Sequence, residues 1–295
     1  MRDRAFGVEI ECGYYGPGMD REPSCSCQCW CDSERDYMRL HNDRFGKRYT
    51  QEDIDTFQCE FCRYGCEGCE DSYEYSEGCE VAADLLSRNG FEHWLDDIHE
   101  DGSGVEIPSP ILRGPQGLRE LRNVMQLLSE NGFRAGRADG MHVHHDAPEF
   151  TDEGLLAHTV ELWEDNFEHI TRFVDPARRG TTWASPRHER GYAERYEEFK
   201  KSKKIADLPS WRTCALNIMP LRCHEPNIEI RLHEGTLDFR KAAAWIHFGQ
   251  AFLWAAMRSY QKREVRVCAD SLEVLRMANV RGNSRRVLME VAALS

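Results

Sequence analysis

The sequence predicts an α+β fold in which helices cover one face of a mostly antiparallel β-sheet. Short runs with alternating apolar and polar residues recur along the chain, as expected for strands with one buried face. Between them lie apolar stripes with spacings of three and four residues, which indicate amphipathic helices. The 295 residues suit one large domain, or one domain that carries an insertion.

Composition and charge narrow the possible function classes. No apolar run reaches the roughly 18 residues of a membrane span. The start Met-Arg-Asp-Arg has no apolar signal region, so we expect a soluble, cytoplasmic protein. The formal net charge of −13 disfavours general binding to nucleic acid. The same negative charge favours the binding of a divalent cation such as magnesium by a cluster of carboxylates.

The first predicted strand begins at Phe6 and presents two glutamates on one face. Phe6, Val8 and Ile10 share the apolar face, whereas Glu9 and Glu11 share the polar face. Carboxylates two residues apart on a strand lie about 6.5–7 Å from each other. Such a pair requires an exposed face, a cationic partner or a metal ion. Taken alone, the strand is equally well explained as half-exposed with a solvated polar face.

Nine of the 13 cysteines lie between residues 25 and 79, in a segment too poor in aliphatic residues to build its own core. In a chain without an export signal, their paired spacings indicate zinc thiolates rather than disulfides. We predict a structural zinc-binding insertion over residues 25–79, with residues 1–24 and 80–295 forming the main domain. Its ligands would form one or two tetrathiolate sites, with His41 or Cys79 as substitutes. The alternative is a flexible insert with free or variably oxidised thiols. The nine cysteines are Cys25, Cys27, Cys29, Cys31, Cys59, Cys62, Cys66, Cys69 and Cys79.

A carboxylate-bearing strand follows the insertion. The apolar pattern over residues 81–98 predicts a short helix and a turn at Asn89-Gly90. The alternation over residues 105–107 then directs Glu106 to the polar face, and Asp101 lies on the glycine-rich loop that precedes it. Glu106 is either a third carboxylate of a shared site or a surface glutamate on an edge strand.

Three later strands carry further polar side chains of the ligand type. His142 and His144 share one face of a predicted strand over residues 138–146, which indicates a metal or phosphate site or simply a polar face. Asn217 lies on the polar face of the next strand. The strongest run, residues 227–238, alternates three isoleucine and leucine residues with polar ones. The polar positions of that run are Glu229, Arg231 and His233.

The helical stripes are predicted to lie between these strands. Gly114-Pro115 opens a helix that Asn131-Gly132 closes. Thr151 is predicted to cap one long helix that runs to Val174. Thr236 is predicted to cap a helix that is apolar nearly all round over residues 242–256 and is therefore buried against the sheet. One or two short amphipathic helices end the chain.

A basic segment over residues 177–211 interrupts this acidic chain. It includes Arg178, Arg179 and Arg187. The segment either closes over an anionic ligand or forms a solvated excursion that is partly helical from Tyr192 to Lys204.

The polar faces of the strands add up to one candidate site. A set rich in carboxylates suits Mg²⁺ or Mn²⁺ better than zinc. Several hard cations beside an arginine and histidines are typical of sites that handle nucleotide phosphates. The members of this set are Glu9, Glu11, Glu106, His142, His144, Asn217, Glu229 and Arg231.

Four motifs occur in order: FGVEIE at residues 6–11, DGS with VEI at 101–107, GMHVH at 140–144 and IEIRLH at 228–233. In them the sequence resembles the carboxylate–amine ligases of the glutamine synthetase and glutamate–cysteine ligase superfamily, most closely the phage and bacterial amidoligases. The resemblance spans residues 6–256 apart from the insertion. It implies a glutamine synthetase-like catalytic domain with metals and nucleotide on the concave face of the sheet. The insertion departs from the common family core and is expected to gate the substrate or dock a macromolecular partner.

The resemblance also implies roles for individual residues. His144 would contact the nucleotide phosphates, Arg231 would stabilise the γ-phosphoryl group or the phosphorylated intermediate, and Asp101 would lie near the metals or the amine. Two or three magnesium or manganese ions on ATP would be held by Glu9, Glu11, Glu106, His142 and Glu229. Further cofactor contacts are expected from Asn217, Arg178 and Arg179. The residues expected to act in catalysis are Arg231, Asp101, Glu9 and Glu229.

The implied reaction has two steps. A substrate carboxylate takes the γ-phosphoryl group of ATP to give an acyl phosphate, and an amine then displaces phosphate to leave an amide. The substrates would be an acid and an amine of an amino acid, peptide or protein. The alternatives are a non-catalytic zinc-stapled binding module on a ligase-derived scaffold and a metal-dependent hydrolase. Dependence on ATP distinguishes the ligase from the hydrolase, and binding of nucleotide with metal distinguishes the ligase from the binding module.

Overall fold

The computed structural model describes residues 4–15, 75–101, 104–136, 139–179, 192–207, 214–264 and 266–293. The eight cysteines from Cys25 to Cys69, and Arg187, therefore lie outside the described residues. The zinc-binding insertion remains a prediction. The described chain resumes at Tyr75, within the last five residues of the predicted range.

Within the described residues, eight strands form one sheet in the order β2-β3-β1-β6-β8-β7, and β4 and β5 pair with the two ends of β1. All of these pairs are antiparallel, which confirms the predicted α+β class with an antiparallel sheet. The strands are β1 (Ala5–Tyr14), β2 (His99–Asp101), β3 (Gly104–Pro108), β4 (Leu112–Arg113), β5 (Phe133–Arg134), β6 (Gly140–Asp146), β7 (Leu216–Asn217) and β8 (Asn227–Glu234).

Helices of very different lengths connect the strands, together with single turns of 3₁₀-helix. Among the described helices, none is both long enough and apolar enough to cross a membrane. The helices are α1 (Tyr75–Arg88), α2 (Gly114–Glu130), α3 (Glu153–Asp165), α4 (Phe167–Ile170), α5 (Tyr192–Ser202), α6 (Met219–Arg222), α7 (Phe239–Lys262), α8 (Ser271–Ala278) and α9 (Gly282–Ala292).

Helix α7 packs on the apolar face of the sheet and forms the centre of the core. Its aromatic residues Trp245, Phe248 and Phe252 are fully buried, each contributing about 1.5–3 kcal/mol of transfer free energy. Gly249 faces the sheet directly, because a Cβ there would overlap the imidazole of His145 on β6. Glycine therefore permits the close approach of α7, and the opposite face of the sheet is left for polar side chains.

The predicted long helix from Thr151 to Val174 is two helices. Asp152, not Thr151, caps α3, since its Oδ1 accepts from the backbone N–H of Leu155 at 2.7 Å. The break falls at the buried Asn166. Its amide donates to the carbonyls of Leu162 and Arg266, and its Oδ1 accepts from the N–H of Cys268. A tertiary contact with residues 266–268 thus ends the helix, although the apolar stripe continues through α4.

A β-bulge alters the predicted alternation of β8. Val143 pairs with Ile230, but Met141 pairs with His233, so β8 has one more residue than β6 in this interval. The prediction that His233 shares the polar face with Glu229 is therefore wrong. His233 instead packs against Trp245 of α7, with ring centroids 5.4 Å apart.

Two helix starts also differ from the predictions. Asp238 rather than Thr236 caps α7, and its Oδ1 accepts from the N–H of Arg240 at 2.8 Å. Helix α1 begins at Tyr75, before the predicted end of the insertion. Cys79 lies in this helix and packs against the hydrophobic core.

Candidate active site

The sheet brings the predicted site residues together by cross-strand pairing. Glu9 on β1 lies opposite His142 on β6, and His144 lies opposite Glu229 on β8. On the other side of β1, Glu11 lies opposite Glu106 on β3. Directly opposed residues share a face of a sheet, so these side chains form one continuous polar surface. Its residues come from six neighbouring strands because β2 and β7 extend it at the edges.

Glu9 lies at the centre and is bonded to both histidines. Its Oε2 lies 2.8 Å from Nδ1 of His142, and its Oε1 lies 3.0 Å from Nε2 of His144. Burial alone would raise the pKa of Glu9, but the two imidazole hydrogen bonds hold it well below its usual value. Burial likewise disfavours a charged His144, yet the hydrogen bond and charge of Glu9 raise the pKa of that histidine to about 9.

Glu229 is held in place by two donors. Its Oε1 accepts from Nη1 of Arg231 at 2.6 Å, and its Oε2 accepts from Nδ2 of Asn217 at 2.6 Å. Asn217 is itself oriented by the backbone N–H of Met219, which donates to its Oδ1 at 2.9 Å. Oε1 of Glu229 also lies 3.9 Å from Nε2 of His144. The predicted ligand Glu229 is therefore rigidly placed beside the predicted phosphate contact.

The other end of the surface is dominated by carboxylates. The backbone N–H of Gly140 donates to Oε2 of Glu11, whose Oε1 lies 3.2 Å from Nε2 of His142. Burial, and then the charges of Glu9 and Glu11, raise the pKa of Glu106 to about 7. The shift thus results first from burial and then from neighbouring negative charge, and a bound cation would offset both effects.

Among the described residues, three adjacent groups have ligand atoms that all lie within 4.8 Å of one another. Neighbouring groups share Glu9 and Glu106, so the ligand atoms form a row across the sheet. The donors are mainly carboxylate oxygens, which suits Mg²⁺ or Mn²⁺, and the raised pKa of Glu106 agrees with a cation site. The residues present thus fit the predicted metals. The groups are Glu9, His144 and Glu229; Glu9, Glu106 and His142; and Glu11, Asp101 and Glu106.

Two adjacent arginines of the basic segment have different environments. Arg178 is only 3% exposed and reaches the floor of the surface. A Cβ at Gly140 would lie 2.8 Å from its Nη2 and from Nε2 of His142, so glycine makes room for both. Arg179 instead donates to the carbonyls of Thr171 and Val174. Arg178 therefore lies at the candidate site, whereas Arg179 stabilises the backbone of the preceding turn.

Three polar residues near the site were not predicted as site residues. Oδ1 of Asn227 lies 3.0 Å from Nδ1 of His144. The period of two in β8 puts Asn227 on the polar face, so the pattern could have identified it. His99 lies opposite Glu106, but β2 has only three residues and too little pattern to be recognised. Glu234 is 4% exposed, and its Oε2 accepts from the N–H of Asp175. It pairs with Gly140, a position that only the bulge in β8 explains.

A comparison with curated proteins gives no match. The sequence does match the family described as "Putative amidoligase enzyme" over residues 2–253. The match contains all the strands above and all the candidate site residues, and it ends within α7. The chain therefore belongs to this amidoligase enzyme family.

Proposed function

We propose that the protein is an ATP-dependent carboxylate–amine ligase that forms an amide through an acyl phosphate. The observation that carries this proposal is the row of three ligand groups across the sheet, with Arg178 and Arg231 beside it. Membership of the amidoligase family supports amide-bond formation. The requirement for ATP, the bound metals and the two-step route go beyond the family match and are our proposal.

The metal sites are assigned from the three ligand groups. Divalent cations held there would neutralise phosphate oxygens and orient the γ-phosphoryl group. The ligands would be Glu9, Glu11, Glu106, His142 and Glu229, with Asp101 at the exposed edge. Glu229 would keep its position in either step, because Arg231 and Asn217 both donate to it.

The reaction requires positive charge beside the phosphoryl group in both steps. In the first, an oxygen of the substrate carboxylate attacks the γ-phosphorus, the bond to the β–γ bridging oxygen breaks, and ADP leaves. In the second, the amine nitrogen attacks the acyl carbon, the carbon–oxygen bond to phosphate breaks, and the proton that the nitrogen loses passes to the departing phosphate. Arg178, Arg231 and His144 would hold the negative charge that moves onto phosphate oxygens.

The intact set of ligands favours a working enzyme over a non-catalytic module. Glu9 and Glu229 are each held by two side-chain hydrogen bonds, and none of the predicted metal carboxylates has been displaced from the surface. Carboxylates that hydrogen bonds hold in fixed positions are expected where a reaction requires a precise geometry.

The test is release of phosphate from ATP in the presence of magnesium and a panel of carboxylates and amines. Wild type should release phosphate only with a suitable acid, and Glu9→Gln should abolish this while retaining its far-UV spectrum. Glu290→Gln, at an exposed glutamate on α9, is the matched control and should turn over normally. Near-normal turnover by Glu9→Gln would contradict the site. Hydrolysis of an amide without ATP would replace the ligase with a hydrolase.

A further inference from the structure

A second concave site lies between the C-terminal end of α7 and helix α8, outside the polar surface of the sheet. It is a pocket of about 180 Å³. Four of its lining residues are basic, and Glu264 is the acidic one among them. The cavity therefore has a local excess of positive charge in a chain whose net charge is −13, although its basic side chains are exposed to solvent. The basic residues are Arg258, Lys262, Arg266 and Arg276.

These cations are poorly compensated by the protein. Arg258 and Lys262 are four residues apart on α7, so they share a face of the helix and repel each other. Among the described residues, no ion pair involves Arg258, Lys262 or Arg276. Arg266 has a long contact of 3.8 Å with Glu273. The pocket thus has a positive charge that an anion would stabilise.

Helix ends account for only part of this arrangement. Lys262 and Arg276 lie in the last turns of α7 and α8, where a cation is favourable beside the free carbonyls. Arg258 lies one turn earlier, and Arg266 lies after the end of α7. Neither position benefits from a helix end, yet both side chains line the same cavity as the other two.

We propose that this pocket binds a small phosphate-bearing anion that bridges α7 and α8. Three of the four cations are arginines, whose planar forks bind phosphate oxygens in pairs. The volume suits a compact anion of several non-hydrogen atoms and not an extended polymer. The anion would join Arg258 and Lys262 on α7 to Arg276 on α8, and so hold the C-terminal helices together.

The pocket is separate from the candidate active site. Helix α7 packs on the apolar face of the sheet, whereas the predicted metal ligands lie on the opposite face. The four basic residues also follow residue 253, where the match to the amidoligase family ends. The inference therefore does not depend on the proposed ligase activity.

The test is a calorimetric titration of inorganic phosphate and of glycerol phosphate, in EDTA, into variants that carry Arg231→Gln. That substitution should weaken phosphate binding at the candidate active site, and it lies outside the pocket. Phosphate should still bind to the protein that carries Arg231→Gln alone. Its affinity should fall about tenfold or more when Arg258→Gln and Arg276→Gln are added, because two charged hydrogen bonds are lost. Addition of Arg240→Gln and Arg286→Gln, at exposed arginines elsewhere, should leave the affinity unchanged.

Thermal unfolding gives a second readout. Phosphate should raise the melting temperature of the Arg231→Gln protein and not that of the variant lacking Arg258 and Arg276. Tighter binding of glycerol phosphate would assign the site to a phosphorylated metabolite, and equal binding would assign it to phosphate itself. Unchanged affinity in the pocket variant, or no binding at about 10 mM phosphate, would overturn the proposal. So would an affinity for oligonucleotides that rises with their length.

Discussion

Glu9 and His142 are cross-strand partners on β1 and β6, and their side chains meet with Oε2 and Nδ1 2.8 Å apart. The same carboxylate reaches His144 through its other oxygen. Glu9 therefore belongs to two of the three ligand groups and links them. Its position makes Glu9 a ligand shared by two of the predicted metal sites.

The first prediction contrasts two consecutive arginines. Arg178→Gln should lower phosphate release about 100-fold, because it removes positive charge beside the transferring group. Arg179→Gln should leave turnover almost unchanged and lower the free energy of unfolding by about 1–2 kcal/mol, because it removes bonds to the carbonyls of Thr171 and Val174. Steady-state kinetics and urea unfolding measure the two effects. Equal losses of turnover in both variants would contradict the placement of Arg178 in the site.

The second prediction concerns the contact between α7 and the sheet. Gly249→Ala should lower the free energy of unfolding by about 1–3 kcal/mol, because the new Cβ would overlap His145 and lie 2.9 Å from Cδ1 of Ile230. The effect should be smaller in a protein that already carries His145→Ala, where the space is open. A double-mutant cycle in urea checks this. Additive effects of the two substitutions would show that they do not touch.

The third prediction is the pH dependence of stability. Burial, with smaller contributions from Arg4 and His144, lowers the pKa of His145 to about 3. The unfolded chain therefore binds a proton at this residue between about pH 6.5 and pH 3, whereas the folded protein does not. Its contribution to stability is complete above pH 6.5 and is lost on acidification at about 1.4 kcal/mol per pH unit. Urea unfolding in EDTA measures the summed slope of all titrating groups, and His145→Leu should change that slope by one proton, about 1.4 kcal/mol per pH unit, between about pH 6.5 and pH 3. An unchanged slope in the variant would refute the assignment.

The fourth prediction concerns the cysteine-rich insertion. Cys62→Ser should lower both the zinc content of the purified protein and its stability, because a tetrathiolate site loses one ligand. Cys223→Ser is the matched control, since Cys223 is an exposed cysteine outside the insertion. Its zinc content should equal that of wild type. If Cys62→Ser also retained all its zinc, the insertion would have no zinc site that depends on this thiolate.

The polar faces of β1 and β6 were predictable from alternation alone. In β1, and over residues 141–144 of β6, a period of two separates apolar side chains from polar ones, so Glu9, His142 and His144 could be placed on one face. Cross-strand neighbours were not predictable, because alternation gives a face but no register. The structure supplies that register.

Other features depend on contacts that a local pattern does not contain. The bulge in β8 reverses the faces of His233 and Glu234, and nothing in the residues themselves marks the extra position. The break at Asn166 results from hydrogen bonds to a segment 100 residues later. The edge strand β2 has three exposed residues and therefore no burial pattern. These are the places where tertiary structure decides between local alternatives.

The most direct test of the central claim is calorimetric titration of ADP with magnesium into wild type and Glu229→Ala. Glu229 connects a ligand group to Arg231 and Asn217, so its removal should eliminate the nucleotide site and leave the fold. We predict binding by wild type that requires magnesium, and none by the variant, with matching far-UV spectra. Magnesium-independent binding, equal binding by both proteins, or no binding by wild type would contradict an ATP-dependent ligase built on this surface.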